Sequence, residues 1–580
     1  MNKVSKQLQQ ISRLFIFLMF LLFTGNVIKA QTQPFSVSGR MGVRYEHYGL
    51  SKRPPGTYAM PRRPWNQLRF NLQPTLQFSK DFSIPFNFNF VTQPTNFAGP
   101  YAGIKSQNLG QFITNPANNF GINPKYKWAE LQLGTQYLNY SNLSTGDIGT
   151  FGIGFDLRPS IFRVKYFVGS SQRSINYVPP PTAPPGTPGA FERNHWMTQF
   201  GVEKEGNYRF LVNAVHGEDR SATLVSWPPL VQPQENFNYS LIADKYFNKG
   251  WYIRTEAAQS YYTKNKNTPA TYVKDLTLSP FIFSRASTQK DYAGEASIGK
   301  KSEKFDLSYT SKYIGAGFQT MGFPYLQPDH WDNTLNTRFT AWQNKMNVVA
   351  SAGLRKNNVN NTSLKSNQFI GNINWFTQFS ERFSLNANYN NFGFTAPSGF
   401  NPFGIKNVSN DFGITPTYIW SNEKKVNILT FSYNYSKYDE RDVFTGFTTS
   451  NNTHTVLLSY LPTYLQKEIA PEFNVLYFHN SMPSFKNNLL TLTAGAGFPA
   501  LQKKMQLKAL MQYTLGKLNN FTSNHNFIPS FNIDYKASKK LTWSTFLTTN
   551  YFKYGDELGM ALTGARYIET TSRTGLLYKF

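Results

Sequence analysis

Apolar and polar residues alternate one for one along much of the chain. From Leu68 to Phe78 the even positions hold Leu68, Phe70, Leu72, Pro74, Leu76 and Phe78, while the odd ones hold Arg69, Asn71, Gln73, Thr75 and Gln77. From Phe82 to Phe90 the even set is Phe82, Ile84, Phe86, Phe88 and Phe90, interleaved with Ser83, Pro85, Asn87 and Asn89. Phe305–Thr310 and Phe383–Asn390 repeat the pattern. A period of two places each set on its own face of an extended strand, so the chain predicts many short amphipathic strands.

The connections alternate in length. Short polar turns fall at 79–81, 204–207, 248–250, 301–304, 343–345, 380–382, 422–425 and 537–540. Between them lie longer stretches: 51–64, 94–119, 176–192, 221–234 and 266–287. Several are rich in Pro and Gly and belong at an aqueous surface. Splitting 120–142 at a tight turn after Trp128 gives an even count of about 26 strands, as a closed antiparallel barrel requires. The first would begin near Phe35 and the last would end at Phe580. A soluble β-sandwich alternates in the same way. The leader segment, the aromatic excess and the short/long asymmetry favour a barrel.

Lys3, Lys6 and Arg13 precede an apolar run from Leu14 to Thr24, with Ile28 and Ala30 set before Gln31. That is the layout of a cleaved export signal over 1–30, too short for a spanning helix of about 20 residues. Residues 31–580 are then expected to form one barrel, with no plug before it and no module after it.

Composition supports a wall with lipid on one side and water on the other. Aromatics make up 16 % of the chain, with 51 Phe and 34 Tyr; charged residues are also 16 %, against about 25 % in a typical soluble protein. There is no Cys, which excludes disulfides, thiolate metal sites and lipidation at a cysteine. Removing the four basic residues of the leader takes the net charge from +27 to +23. The Lys and Arg are dispersed and no groove-reading motif accompanies them, so nucleic acid is not an expected partner.

The chain ends Arg573-Thr574-Gly575-Leu576-Leu577-Tyr578-Lys579-Phe580. Arg573, Gly575, Tyr578 and Phe580 fill a pattern that resembles the terminal signal read by the barrel-assembly machinery of Gram-negative outer membranes. The resemblance implies an all-β fold: a single large antiparallel transmembrane β-barrel with short periplasmic turns and long extracellular loops. It also implies residence in the outer membrane, among its lipid and lipopolysaccharide. The richness in Asn, Tyr and Phe, and the stretch 121–145 (GINPKYKWAELQLGTQYLNYSNLST), are similar to uncharacterised outer-membrane barrels of the Bacteroidota.

Catalytic signatures are missing. The seven His have no metal-ligand spacing among themselves, and HExxH, GxSxG, P-loop and dinucleotide motifs are absent. No enzyme activity, metal or other cofactor is expected. The polar parity carries Arg40, Arg44 and Glu46 in the first strand and Arg69 in the second, as possible lumen-facing charges. They are either a basic patch favouring anions or ordinary water-facing charge. The expected function is a porin-like or substrate-selective diffusion channel. The alternative is the barrel subunit of a secretion, assembly or surface-attachment complex with a lipoprotein or secretion partner. Loops 51–64 and 94–119 are the expected candidates for folding into the lumen.

Overall fold

The computed structural model describes residues 35–51, 63, 65–91, 118–177, 189–224, 231–360, 365–396, 405–441, 448–519, 521, 523–556 and 564–580. The expected leader and nearly all of loops 51–64 and 94–119 lie outside these residues.

The strands form one sheet of 27 segments, from β1 (Ser36–Ser51) to β27 (Arg566–Lys579), each antiparallel to the strands it pairs with. β1 also pairs with β27, Arg40 opposite Lys579 through Ser51 opposite Ile568, and this closes the sheet. Closure leaves no edge of unpaired N–H and C=O groups, the condition for strands to cross a bilayer. β4 (Asn119–Ile122) and β5 (Lys125–Tyr126) are two halves of one crossing, because both lie between β3 (Phe82–Val91) and β6 (Ala129–Leu138). The barrel therefore has 26 crossings. Pro124 has no N–H to give to the ladder and breaks this strand. Lys127–Trp128 makes the turn that follows, at the expected split.

One end of the barrel carries the short turns. Two of them run through left-handed residues, Trp342–Gln343–Asn344 and Leu501–Gln502–Lys503, with φ between 48° and 68°. The opposite end carries the longer connections, with one exception: only Pro483 and Ser484 separate β22 (Ala470–Met482) from β23 (Phe485–Ala500).

Outward side chains are apolar and exposed around most of the circumference, among them Phe200, Leu241, Ile298, Leu335, Phe369, Met511 and Leu576. None of the described helices is long and apolar enough to cross a membrane; the surface a bilayer would face is made by strands. At the long-loop end, loop 264–287 lies against this outer wall. Its Phe281 stacks on Phe237 at 4.7 Å and tilts against Trp196 at 5.8 Å. Such aromatic clusters are usual where a barrel leaves the apolar layer.

Candidate functional site: a half-filled lumen and an arginine cluster at the seam

Among the described connections of the long-loop end, two turn into the barrel. Residues 139–147 and 315–329 pack against the inward faces of β9 (Glu192–Lys204), β10 (Tyr208–Arg220), β11 (Glu235–Tyr246), β12 (Trp251–Thr263) and β13 (Thr288–Lys301). The polar parity of these strands supplies the fastenings. The Glu256 carboxylate accepts from the N–H groups of Asn142 and Leu143 at 3.2 and 3.3 Å. Gln199 donates to the Tyr140 carbonyl at 2.9 Å. Asn236 donates to the Gln319 carbonyl at 3.2 Å and accepts from Met321 N–H at 3.0 Å, and Ser260 also donates to Gln319 O. Gly317 N–H donates to Asp291 at 2.7 Å. The two loops hold each other through Thr320 Oγ1 to Ser144 O at 2.9 Å and Gly146 N–H to Gly322 O at 3.1 Å.

Apolar side chains complete this interior core. Leu143 and Phe318 are buried with Ala258, Ala293 and Ile314; Leu138 and Tyr140 are buried with Phe167, Met197 and Val215. Glycines permit the approach: a Cβ at Gly322 would lie 2.4 Å from Ser144 O, and one at Gly146 2.5 Å from the Phe323 ring. Burial, and secondarily Asp156, pushes the Tyr140 phenol up and keeps it neutral. Burial likewise raises the Asp329 carboxyl, against the pull of the Val359 and Asn360 N–H groups.

Among the described residues, no loop packs on the opposite wall. Register aligns Arg338, Val349, Asn374, Asn388, Gly413, Asn434 and Thr455 in one inward row across seven strands. Arg338, Asn374 and Asn434 are exposed. Val349 and Phe376 point inward yet remain 40 % and 42 % exposed. Across the lumen, by contrast, Asn213, Asn236, Asn238, Ser240 and Ser260 are fully buried. Water thus reaches one wall and is excluded from the other.

The seam between β1 and β27 carries the charged feature. Glu46 lies 3.1 Å from Arg44, 3.9 Å from Arg69 and 3.7 Å from Arg573, each measured Nε to Oε1. With Arg63, Tyr48, Gln67 and Thr571 they line a cavity of about 430 Å³. Four guanidiniums face one carboxylate, so the cavity is cationic and attracts anions. Of the expected lumen charges, Arg44, Glu46 and Arg69 come together. Arg40 does not join them; it donates to Gln73 at 2.6 Å, nearer the short-turn end. Arg573 shares the lumen face as a fourth member. Tyr578 is on the other face of the same strand, its ring 5.9 Å from that of Phe580. Phe580 and Gly39 exchange both backbone hydrogen bonds at 3.1 Å, and a Cβ on Gly575 would meet Val43 O at 3.2 Å.

No protein-family model matches the chain, and no curated protein matches it. Solved barrels are similar to it in architecture. OccAB4 of Acinetobacter baumannii is 11 % identical over 67 % of this chain and 98 % of its own, with a TM-score of 0.30. The translocation pore of the P pilus usher PapC is 8 % identical over 94 % of this chain and 99 % of its own, at 0.37. The FrpB iron transporter of Neisseria meningitidis is 9 % identical over 93 % and 82 %, also at 0.37. These likenesses are of one barrel to another and say nothing of cargo.

Two further groupings were invisible in the sequence because their members sit on neighbouring strands. Ser171, at the bulge of β8 (Phe162–Gln172), lies with its Oγ 2.9 Å from His195 Nε2. Serine–imidazole pairs can do acyl chemistry, but that requires an oriented and reachable imidazole. Here His195 is buried, and its Nδ1 has no partner among the described residues. The pair is read as a buried hydrogen bond. On the outer wall, His216, Glu218 and Glu235 place one ligand atom each within 4.8 Å of one another. His216 is 3.3 Å from Glu235, and Lys266 is 3.5 Å from Glu218, so the group has its own cation.

Proposed function

We propose that the protein is an integral outer-membrane channel through which small polar solutes diffuse, with the passage confined to one side of its lumen. The observation that carries this reading is the asymmetric filling. Loops 139–147 and 315–329 occupy one half, while the facing half presents Arg338, Asn374 and Asn434 to water. A wide barrel without such filling would admit solutes with little discrimination. The arginine cluster at the seam biases the passage toward anions. Export through a cleaved leader at 1–30, reading of Arg573, Gly575, Tyr578 and Phe580 by the barrel-assembly machinery, and kinship with Bacteroidota barrels belong to the same proposal. The stretch that suggests the kinship, 121–145, includes most of the first inward loop.

Planar-bilayer recording tests it. The purified barrel is expected to give steady open-channel current that rises when 316–328 is deleted. A barrel with no current in either form sinks the diffusion reading. A stoichiometric lipoprotein or secretion partner recovered from native membranes would then favour the alternative, a barrel subunit of a larger machine.

A further inference from the structure

The outer wall has a depression that the channel does not use. Ala243, Thr255, Ala257, Gly294, Ala296 and Ser311 adjoin on four consecutive strands, β11 to β14 (Phe305–Ile314), where neighbouring outward positions are bulky. Leu241, Tyr313 and Trp331 wall a groove of about 960 Å³. The Trp331 indole donates to Ser311 Oγ at 2.8 Å, which fixes the wall in place. Lys356, 5.1 Å from the Trp331 ring, and Lys365 stand at the long-loop end of the groove.

The charges here are sorted by face. From β12 to β17 (Ser366–Gln378), every acidic residue within a strand has an inward partner. Glu256 holds Asn142 and Leu143, Asp291 holds Gly317, Glu295 pairs with Lys312, Asp306 with Tyr252 and Asp332 with Arg355. Among the described strand residues no carboxylate side chain points into the groove, so it meets the membrane as an apolar trough with the ammonium groups of Lys356 and Lys365 at one end. That combination complements a lipid with an acyl chain and a phosphate.

We infer that the groove binds an acyl chain of lipopolysaccharide, with a lipid phosphate at Lys356 and Lys365. The identity of the lipid rests on the outer-membrane reading above, which places the long-loop end in the outer leaflet. An acyl chain already in the bilayer gains no hydrophobic free energy by entering the groove; its seating there is favoured by van der Waals packing along the recessed wall, and the lysines fix the phosphate.

Native mass spectrometry of the full barrel, titrated with purified lipopolysaccharide, tests the inference. Gly294→Leu with Ala296→Leu fills the groove; a Cβ at Gly294 would meet only Glu256 O, at 3.7 Å. Lys356→Gln with Lys365→Gln removes the charges from a surface position. Wild type is expected to hold the lipid, and each double variant to hold it about tenfold more weakly. Equal retention by both double variants overturns the site, and so does equal affinity for phosphatidylglycerol. Bilayer current from the same preparations is a separate readout: a barrel that conducts nothing yet binds lipopolysaccharide through the groove upholds this inference while removing the channel.

Discussion

Glu46 is one carboxylate among four guanidiniums, one of which, Arg573, comes from the far end of the chain. Glu46→Gln leaves Arg44, Arg69 and Arg573 without their counter-charge, and reversal potentials in a salt gradient should move toward the anion. Arg44→Gln with Arg69→Gln should move them the opposite way. Neither change should cost much stability, since half-exposed ion pairs contribute about 0–1 kcal/mol; an unchanged reversal potential in both would remove the cluster from the ion path. The Ser171–His195 pair gives a second expectation. A fluorophosphonate probe should leave Ser171 unlabelled, and labelling would reopen a hydrolytic reading. Strand parity already aligned Arg44, Glu46 and Arg69 on one face. Arg573 escaped, because its place beside Glu46 depends on which strands meet at closure, and local alternation does not encode that.

Strands and loops differ in how plainly they were written. Alternation marks a strand whenever one face is apolar, so the turns at 79–81, 301–304 and 537–540 and the split near Trp128 could be read directly. The inward loops could not. Residues 139–147 read NYSNLSTGD, as polar as any surface connection, and only Leu143 hints at burial. Their destination depends on Glu256, Asn236 and Gly322, which alternation classes merely as polar or small. Two substitutions probe the docking. Gly322→Val drives a side chain into Ser144 O and should release both loops, raising single-channel conductance while the barrel stays folded. Asn236→Ala strands the partners of a fully buried amide and should weaken docking by about 1–3 kcal/mol. Protease susceptibility within 315–329 would report it; resistance equal to wild type in both variants would show that the loops are held otherwise.

For the molecule as a whole, the crossing number and the closed antiparallel topology follow from the alternation and the need for an even count. What fills the barrel does not, because interior packing is set by long-range register. Lumen asymmetry also makes the two halves of the wall unequal in support. From β6 to β14 the strands have a core behind them, whereas from β15 (His330–Ala341) to β26 (Leu541–Lys553) no loop among the described residues packs behind them.

That inequality has a consequence in time. Opening a ladder bond in the supported half requires the loop core to separate as well, while a hairpin in the other half can fray alone. Deuterium should therefore enter the amides of 425–553 well before those of 192–301. The slow half would be the part of the barrel that persists longest as the protein is pulled apart or heated.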